Sequence, residues 1–486
     1  MNVRKLPRRP RTPGPGTARA QPAPPRRALR PVARSIKGGG VLVLLALLFA
    51  VLFWQNLPTN PLNPPGAGLP VAPGTPQLAG PEGSSANEVD RTLRLAMIVI
   101  CFAIFAARWA LLRSLAKTVN PGFIAFLCLA PVSALWSIDP PATLLRFTTL
   151  ATIVMVCLAI SLSGWDRNRL KQVTIVPTML ILIASLVLGM MYPDRIVEIG
   201  DDISLKNSWH GVTHSKNMFG MLAGLGAVLS LHGLLAGEKR AWLSLAGLAV
   251  SAACLVLSRS STSLLAALVG MAFMVGALRV PIVKRRFTGH LVFGTAALIL
   301  LYELVIQDVV PGVNVLLAPI TALTGKDTTF SSRTLIWDII NQHISGAPLL
   351  GSGFGAYWTG PSPSSPSYVF VWLMYFYPTE AHNGYLEVVN DLGLVGLMVL
   401  LLFVFFFLRQ SMKLMKLDRA QASLYLGLFL QEMVINMSES DWFSRSSNFA
   451  VIMLATFLTC RALHEYTVQA RAAARAAPAA HVQGST

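Results

Sequence analysis

Apolar residues in this chain fall in long runs separated by shorter polar stretches. The first run is 38–54. Others follow at about 93–112, 121–136, 148–165, 173–192, 217–236, 242–258, 263–280, 290–306, 386–408, 420–437 and 449–463. A helix crosses the bilayer core with about 17–25 apolar residues. The pattern therefore predicts an all-α polytopic membrane protein with about twelve transmembrane helices. The longest hydrophilic interruption, 307–385, predicts one long external loop containing short helices.

The segments outside these runs read differently. Residues 1–37 are rich in Pro and Arg and cannot build a core, so a disordered basic leader is expected. The run 38–54 follows too long a leader for a cleaved signal peptide and reads as a signal anchor, the first transmembrane helix. Residues 55–90, rich in Pro, Gly and Ser, read as a flexible linker. Residues 91–463 then form the membrane domain, and 464–486 a tail.

Composition agrees with a membrane protein: 53% of residues are hydrophobic and 13% charged, about half the charged share of a soluble domain. The net charge of +18 would suggest nucleic acid on a soluble protein, but here the basic residues sit where an orientation signal would put them. With the N-terminus inside, 30 of the 40 Lys and Arg fall on the cytoplasmic side; without the leader the ratio is still 19 to 10. Both termini are then cytoplasmic, and the 307–385 loop is periplasmic. Cys101, Cys128, Cys157, Cys254 and Cys460 all lie in apolar runs, so neither a disulfide framework nor a metal-binding pattern is implied.

Charge on the outer side is scarce, which makes each instance informative. Trp136-Ser137-Ile138-Asp139-Pro140 reads as an interfacial anchor and a turn. Trp209 to Asn217 holds His210, His214 and Lys216, a set suited to an anion or a headgroup, or simply to solvent; Gly211, Val212 and Thr213 argue against the helix a His210–His214 metal pair would need. Arg259 sits in a very short turn close to membrane depth, where an arginine needs a partner or a task, or snorkels to headgroups. Ser331 or Ser332 reads as a helix cap with Arg333 in the first turn, against the dipole preference. That placement suits a site that receives an anion. Glu380-Ala381-His382-Asn383 opens the tenth run, where a helix dipole would keep His382 neutral and able to accept a proton. Glu439 or Asp441, between the last two runs, would pair with a basic residue or act on a substrate.

His382-Asn383, nine residues, then Gly393-Leu394-Val395-Gly396 resembles the signature of the O-antigen ligase and Wzy-type polysaccharide polymerase family. Trp136–Pro140, Gly211…Lys216-Asn217…Gly220, Ser258-Arg259-Ser260, and Ser332-Arg333-Thr334 leading to Pro348–Gly353 are similar to further parts of that pattern, in order. The resemblance implies a glycosyltransferase of the membrane-embedded C type that needs neither metal nor cofactor. Its donor would be a glycan on undecaprenyl diphosphate at the periplasmic face of the bacterial inner membrane. A polymerase adds that glycan to another lipid-linked repeat unit; a ligase transfers it to lipid A-core. The pattern at 136–140, 211–220 and 258–263 looks closer to exopolysaccharide polymerases. Carried over, diphosphate binding falls on Arg259 and Arg333, with Lys216 a further candidate, and assistance to the acceptor hydroxyl on His382. Asn383, Glu439 and His214 would support them. The partners implied are the lipid-linked oligosaccharide, membrane lipids, and the flippase and chain-length regulator of such a pathway. A transporter of lipid-linked glycans is the competing class, but it would place charge at the midplane on repeated, broken helices. No internal repeat is visible here, and the charges gather at one face.

Overall fold

The computed structural model describes residues 49–50, 84–198, 207–306, 332–360, 363–374 and 377–476. The principal helices are α1 (Ser84–Ala107), α2 (Trp109–Ala116), α3 (Pro121–Val132), α4 (Pro140–Ser163), α5 (Arg169–Met191), α6 (Lys216–Ala236) and α7 (Ala241–Leu257). They continue with α8 (Ser261–Arg279), α9 (Thr288–Ile306), α10 (Ser332–Gly346), α11 (Gly384–Leu417), α12 (Arg419–Ile435) and α13 (Ser447–Ala476). The fold is all-α, and several of these helices are long and apolar enough to make the chain a polytopic membrane protein. The leader 1–37 and most of the run 38–54 lie outside the described residues. So do 307–331, within the expected loop, and 477–486, within the expected tail. The end of the 55–90 linker is not a loop: α1 already begins at Ser84.

Polar residues mark the helix starts. Asn120 accepts from the N–H groups of Gly122 and Phe123, Asp139 from Ala142, Ser215 from Met218, Ser260 from Ser263, and Asp418 from Gln421. Each such cap contributes about 1 kcal/mol by satisfying a donor the helix leaves free. It also fixes where the chain turns at the edge of the apolar layer.

The expectation of twelve spans is not met. Seven described helices are long and apolar enough to cross a membrane: those at Pro140–Ser163, Arg169–Met191, Lys216–Ala236, Ser261–Arg279, Val283–Leu304, Gly384–Leu417 and Ser447–Ala473. The run at 93–112 is broken by a bend of 90° between α1 and α2, and counts as an eighth only if that pair is one span. Runs 121–136 and 242–258 form shorter apolar helices. The run at 420–437 becomes α12, 17 residues long and buried at every position from Gln421 to Ile435. It packs against α6, α8, α9, α11 and α13. Burial is not what removes it, since the span at Ser447–Ala473 is 89% buried; at 17 residues α12 stands at the short limit of a span.

The signature glycine explains how the loop is seated. At Gly393 the backbone leaves the helix (φ 64°, ψ −162°), which breaks α11. Such a break frees the carbonyls of residues 390 and 391 and the N–H groups of 394 and 395. The chain at 348–353 takes up all four. Ser352 N–H donates to Asn390 O at 3.0 Å and Gly353 N–H to Asp391 O at 2.8 Å; Leu394 N–H donates to Pro348 O at 2.9 Å and Val395 N–H to Leu349 O at 3.2 Å. Both backbones must touch for this. A Cβ at Gly393 would overlap Leu349 carbonyl carbon, and one at Gly351 (φ 66°) would overlap Asp391.

Gly393→Ala should therefore unseat this segment. The backbone region is nearly restricted to glycine, and strain of this kind costs roughly 1–3 kcal/mol. The purified variant should melt at lower temperature in detergent and be cleaved sooner between α10 and α11. Alanine at the exposed neighbour Leu394 should change neither; equal behaviour of the two variants would refute this account of the seam.

Candidate active site

Three stretches of chain converge at one end of the helices. The first is α10, which begins at Ser332 as the capping pattern predicts; Ser331 lies outside the described residues. Its Ile336, Trp337 and Ile340 are buried in a small separate core with Tyr357, Trp358, Phe370, Ala381 and Leu386. Trp337 Nε1 donates to the carbonyl of Ala381 at 3.0 Å. Arg333, four residues before Trp337, lies on the same face of α10 and so stands beside the stretch that carries His382.

The second is that stretch. His382 is held in the left-handed region (φ 51°), directly before the residue that caps α11. Each neighbour is pinned. Ala381 N–H donates to Glu387 at 2.7 Å, and Asn383 Oδ1 accepts from the N–H groups of Tyr385 at 3.0 Å and Leu386 at 2.9 Å. Asn383 Nδ2 donates to Glu303 on α9, and Gly384 N–H donates to Asn436 O at 2.9 Å.

The third stretch joins α12 to α13. Asn436 Oδ1 accepts from the N–H groups of Asp441 and Trp442 at 2.9 and 2.6 Å, which folds this connection into a tight turn. Glu439 stands at its tip. Arg333 Nη2 donates to Glu439 Oε1 at 2.9 Å, and Asn217 Nδ2, in the first turn of α6, donates to the same oxygen at 2.7 Å. His382 Nδ1 lies 3.7 Å from Glu439 Oε2 and 3.0 Å from Glu380 Oε1.

Of the residues singled out in the sequence, Arg333, His382, Asn383 and Glu439 thus share one cluster. Lys216 opens α6 beside Asn217. Arg259 occupies a three-residue turn, itself in the left-handed region (φ 51°); the first turn of α8, which follows, packs on the start of α6, where Ser263 Oγ donates to Asn217 O at 3.4 Å. His214 is exposed on the approach to the same helix.

The charge state of His382 differs from the neutral imidazole expected. Its position before the cap, outside the helix, takes it out of the first turn. Burial alone would lower its pKa, but the carboxylates of Glu380 and Glu439 outweigh burial and raise it from 6.5 to about 9. Burial also pushes the Glu380 carboxyl up, opposed by His382. For Glu439 burial is overcome by His382 and Arg333, which hold the carboxyl below its ordinary value. One carboxylate is thereby kept ionised and the other biased toward its acid form.

Glu380 and Asn217 were not assigned a role from the sequence, although both lie inside the quoted motifs. Glu387 was overlooked as well: it binds Ala381 N–H, Trp358 Nε1 and Ser440 Oγ, tying the loop to both neighbouring stretches. An acid in the first turn of a helix is the signal that was available for it. The ligating atoms of Glu380, His382 and Glu439 lie within 4.8 Å of one another, close enough to share a cation. Arg333 and the His382 imidazolium already supply positive charge there.

Residues 225–402 match the family model described as O-antigen ligase. The match includes Arg259, Arg333 and His382; Asn217 and Glu439 fall outside it. The chain is also 29% identical, over 316 residues, to the exopolysaccharide production protein ExoQ of Rhizobium meliloti (strain 1021). That similarity covers 62% of this chain and 68% of the relative. Both findings bear out the family resemblance read from the motifs.

The His382 ion pairs give a signed pH dependence. A group whose pKa is raised on folding stabilises the fold fully below its unfolded pKa, and this contribution is lost as pH rises through the folded value. The melting temperature in detergent should accordingly fall between about pH 6.5 and 9, and His382→Gln should flatten that slope. A slope identical in the variant would mean that His382 is not the group responsible.

Proposed function

From the match to the O-antigen ligase model and the geometry of the site, we propose that this chain transfers a glycan from a lipid diphosphate to an acceptor hydroxyl at the outer membrane face. The observation that carries the reading is the Glu439 carboxylate, which gathers Arg333 and His382 at the end of the membrane helices. Breaking a glycosyl–phosphate bond builds negative charge on the leaving diphosphate. Fixed cations in a poorly solvated site stabilise that charge well, because they need no reorganisation. Arg333 and Arg259 take this role, with Lys216 at the same helix end. Sidedness follows the basic residues at the opposite end of α6, where Arg167, Lys171 and Lys239 line one cavity and Arg279 donates to Leu235 O.

His382 takes the proton of the attacking hydroxyl. Its Nδ1 faces Glu380, which orients the ring and leaves Nε2 for the acceptor, the arrangement by which a carboxylate positions a histidine base. Since the carboxylates hold the ring protonated near neutrality, only the deprotonated fraction can act. The rate should then climb with pH toward about 9. Glu380→Gln removes one carboxylate and should move that rise to lower pH. A rate that declines over the same range would instead make His382 a cation for the diphosphate, and would sink its role as base.

Alanine at His382 should cost about 10²–10⁴-fold in turnover, the usual contribution of a general base. Loss of the Arg333 guanidinium should cost roughly 10²–10³-fold, as for other charge-stabilising donors. Membrane insertion should be unchanged in both, as read by yield and monodispersity; full activity of either variant would refute its role. Activity should survive a chelator, since cations from the chain itself occupy the centre.

The family's description as O-antigen ligase favours transfer to a separate lipid acceptor such as lipid A-core. The second reading is polymerisation of lipid-linked repeat units, kept because the relative is named for exopolysaccharide production without a stated reaction. Incubating purified protein with undecaprenyl diphosphate-linked repeat units alone separates them. Longer lipid-linked chains mean polymerisation, product only after lipid A-core is added means ligation, and movement across a vesicle without product means transport.

A further inference from the structure

α6 runs from Lys216, beside Asn217 at the candidate site, to Ala236, and its 21 residues span ~30 Å at 1.5 Å each. At this far end, between α5, α6 and α12, lies a cavity of about 320 Å³. That is the lower end of the size range of small-molecule sites.

Its lining combines two kinds of group. Arg167, Lys171 and Lys239 bring three cations against one carboxylate, Glu238. Lys171 pairs with Glu238 at 2.7 Å, and Arg167 with Asp418, which stands behind it, at 3.1 Å. Lys239 is exposed and adds the surplus positive charge. Asn168, also in the wall, begins α5, where its own N–H and that of Arg169 are already held by Asp166, so the anion's partners are the side-chain cations.

The second kind is a pair of buried acceptors. His232 is 5% exposed and Gln421 3%. His232 Nε2 lies 3.1 Å from the Ala420 carbonyl, which can only accept, so the proton is on Nε2 and Nδ1 is an acceptor. Gln421 Nε2 donates to Tyr425 Oη at 2.8 Å, which leaves Oε1 as an acceptor. Neither His232 Nδ1 nor Gln421 Oε1 has a hydrogen-bond partner among the described residues. A buried acceptor without a donor is costly, and the ionised oxygens of a phosphate group, which only accept, would not relieve it. A hydroxyl group would.

We infer that this cavity binds a ligand that carries both a phosphate and a hydroxyl group, with glycerol phosphate as the minimal chemistry. A phosphatidylglycerol headgroup and a soluble glycerol phosphate both have it. The site lies at the opposite end of α6 from the proposed active site and does not depend on that reading.

The test uses the full-length protein in phosphatidylcholine nanodiscs. Binding of phosphatidylglycerol is measured by native mass spectrometry, with phosphatidic acid, which has the phosphate but no head-group hydroxyl, as the comparison. Phosphatidylglycerol should be retained over both other lipids. Lys239→Glu, at an exposed position, should weaken it by at least about fivefold, the effect of one basic residue beside an anionic headgroup. Thermal protection by glycerol 3-phosphate in pure phosphatidylcholine, absent with inorganic phosphate and lost in Lys239→Glu, would identify the soluble form as the source. The inference is overturned if phosphatidylglycerol binds no better than phosphatidic acid and glycerol 3-phosphate gives no protection. It is also overturned if Lys239→Glu leaves binding unchanged.

Discussion

A partly buried carboxylate at the end of a membrane helix bundle is tolerable only when cations and donors surround it. Glu439 meets that condition by drawing on α6, α10 and the stretch before α11 at once. These elements are far apart in sequence, and the chain between 306 and 332 does not need to specify their relative positions. The requirement to neutralise one charge does so. Arg333 and His382 are brought together because each is needed by the same acid, and the seam at Gly393 supplies the rigid base from which the loop reaches it.

That arrangement assigns distinct tasks to neighbouring residues. Asn383 turns the chain into α11 and fastens it to α9, which fixes the backbone beside His382. Glu387 ties Trp358, Ala381 and Ser440 together from inside the helix. Glu380 and Glu439 flank the imidazole with carboxyls of opposite bias, one raised by burial and one lowered by its cations. Such separation between adjacent titrating groups is what acid–base chemistry requires.

Much of this was legible in the sequence because scarcity is informative. Few charges stand on the side of the long loop, and Arg333, His382 and Glu439, each noticed alone, prove to be neighbours. The glycines at 351 and 393 were visible as a motif, but their reason was not: it is a backbone-to-backbone bond pattern between segments some forty residues apart. The charge state of His382 was read wrongly because the helix starts one residue later than the motif suggests. Its ring answers first to Glu380, two residues before it, and then to Glu439, 57 positions away. The span count failed for a general reason: an apolar run does not show where a helix ends or bends, and several runs fold into helices too short to qualify. α12 is the case in point.

α12 has a further significance. The peripheral helices must match the thickness of whatever bilayer surrounds them, and they tilt when it changes. α12 touches protein on every side, so its length and inclination answer to its neighbours alone. The turn bearing Glu439 is mounted on this sheltered rod. The geometry at its tip therefore answers to the helices around it before it answers to lipid.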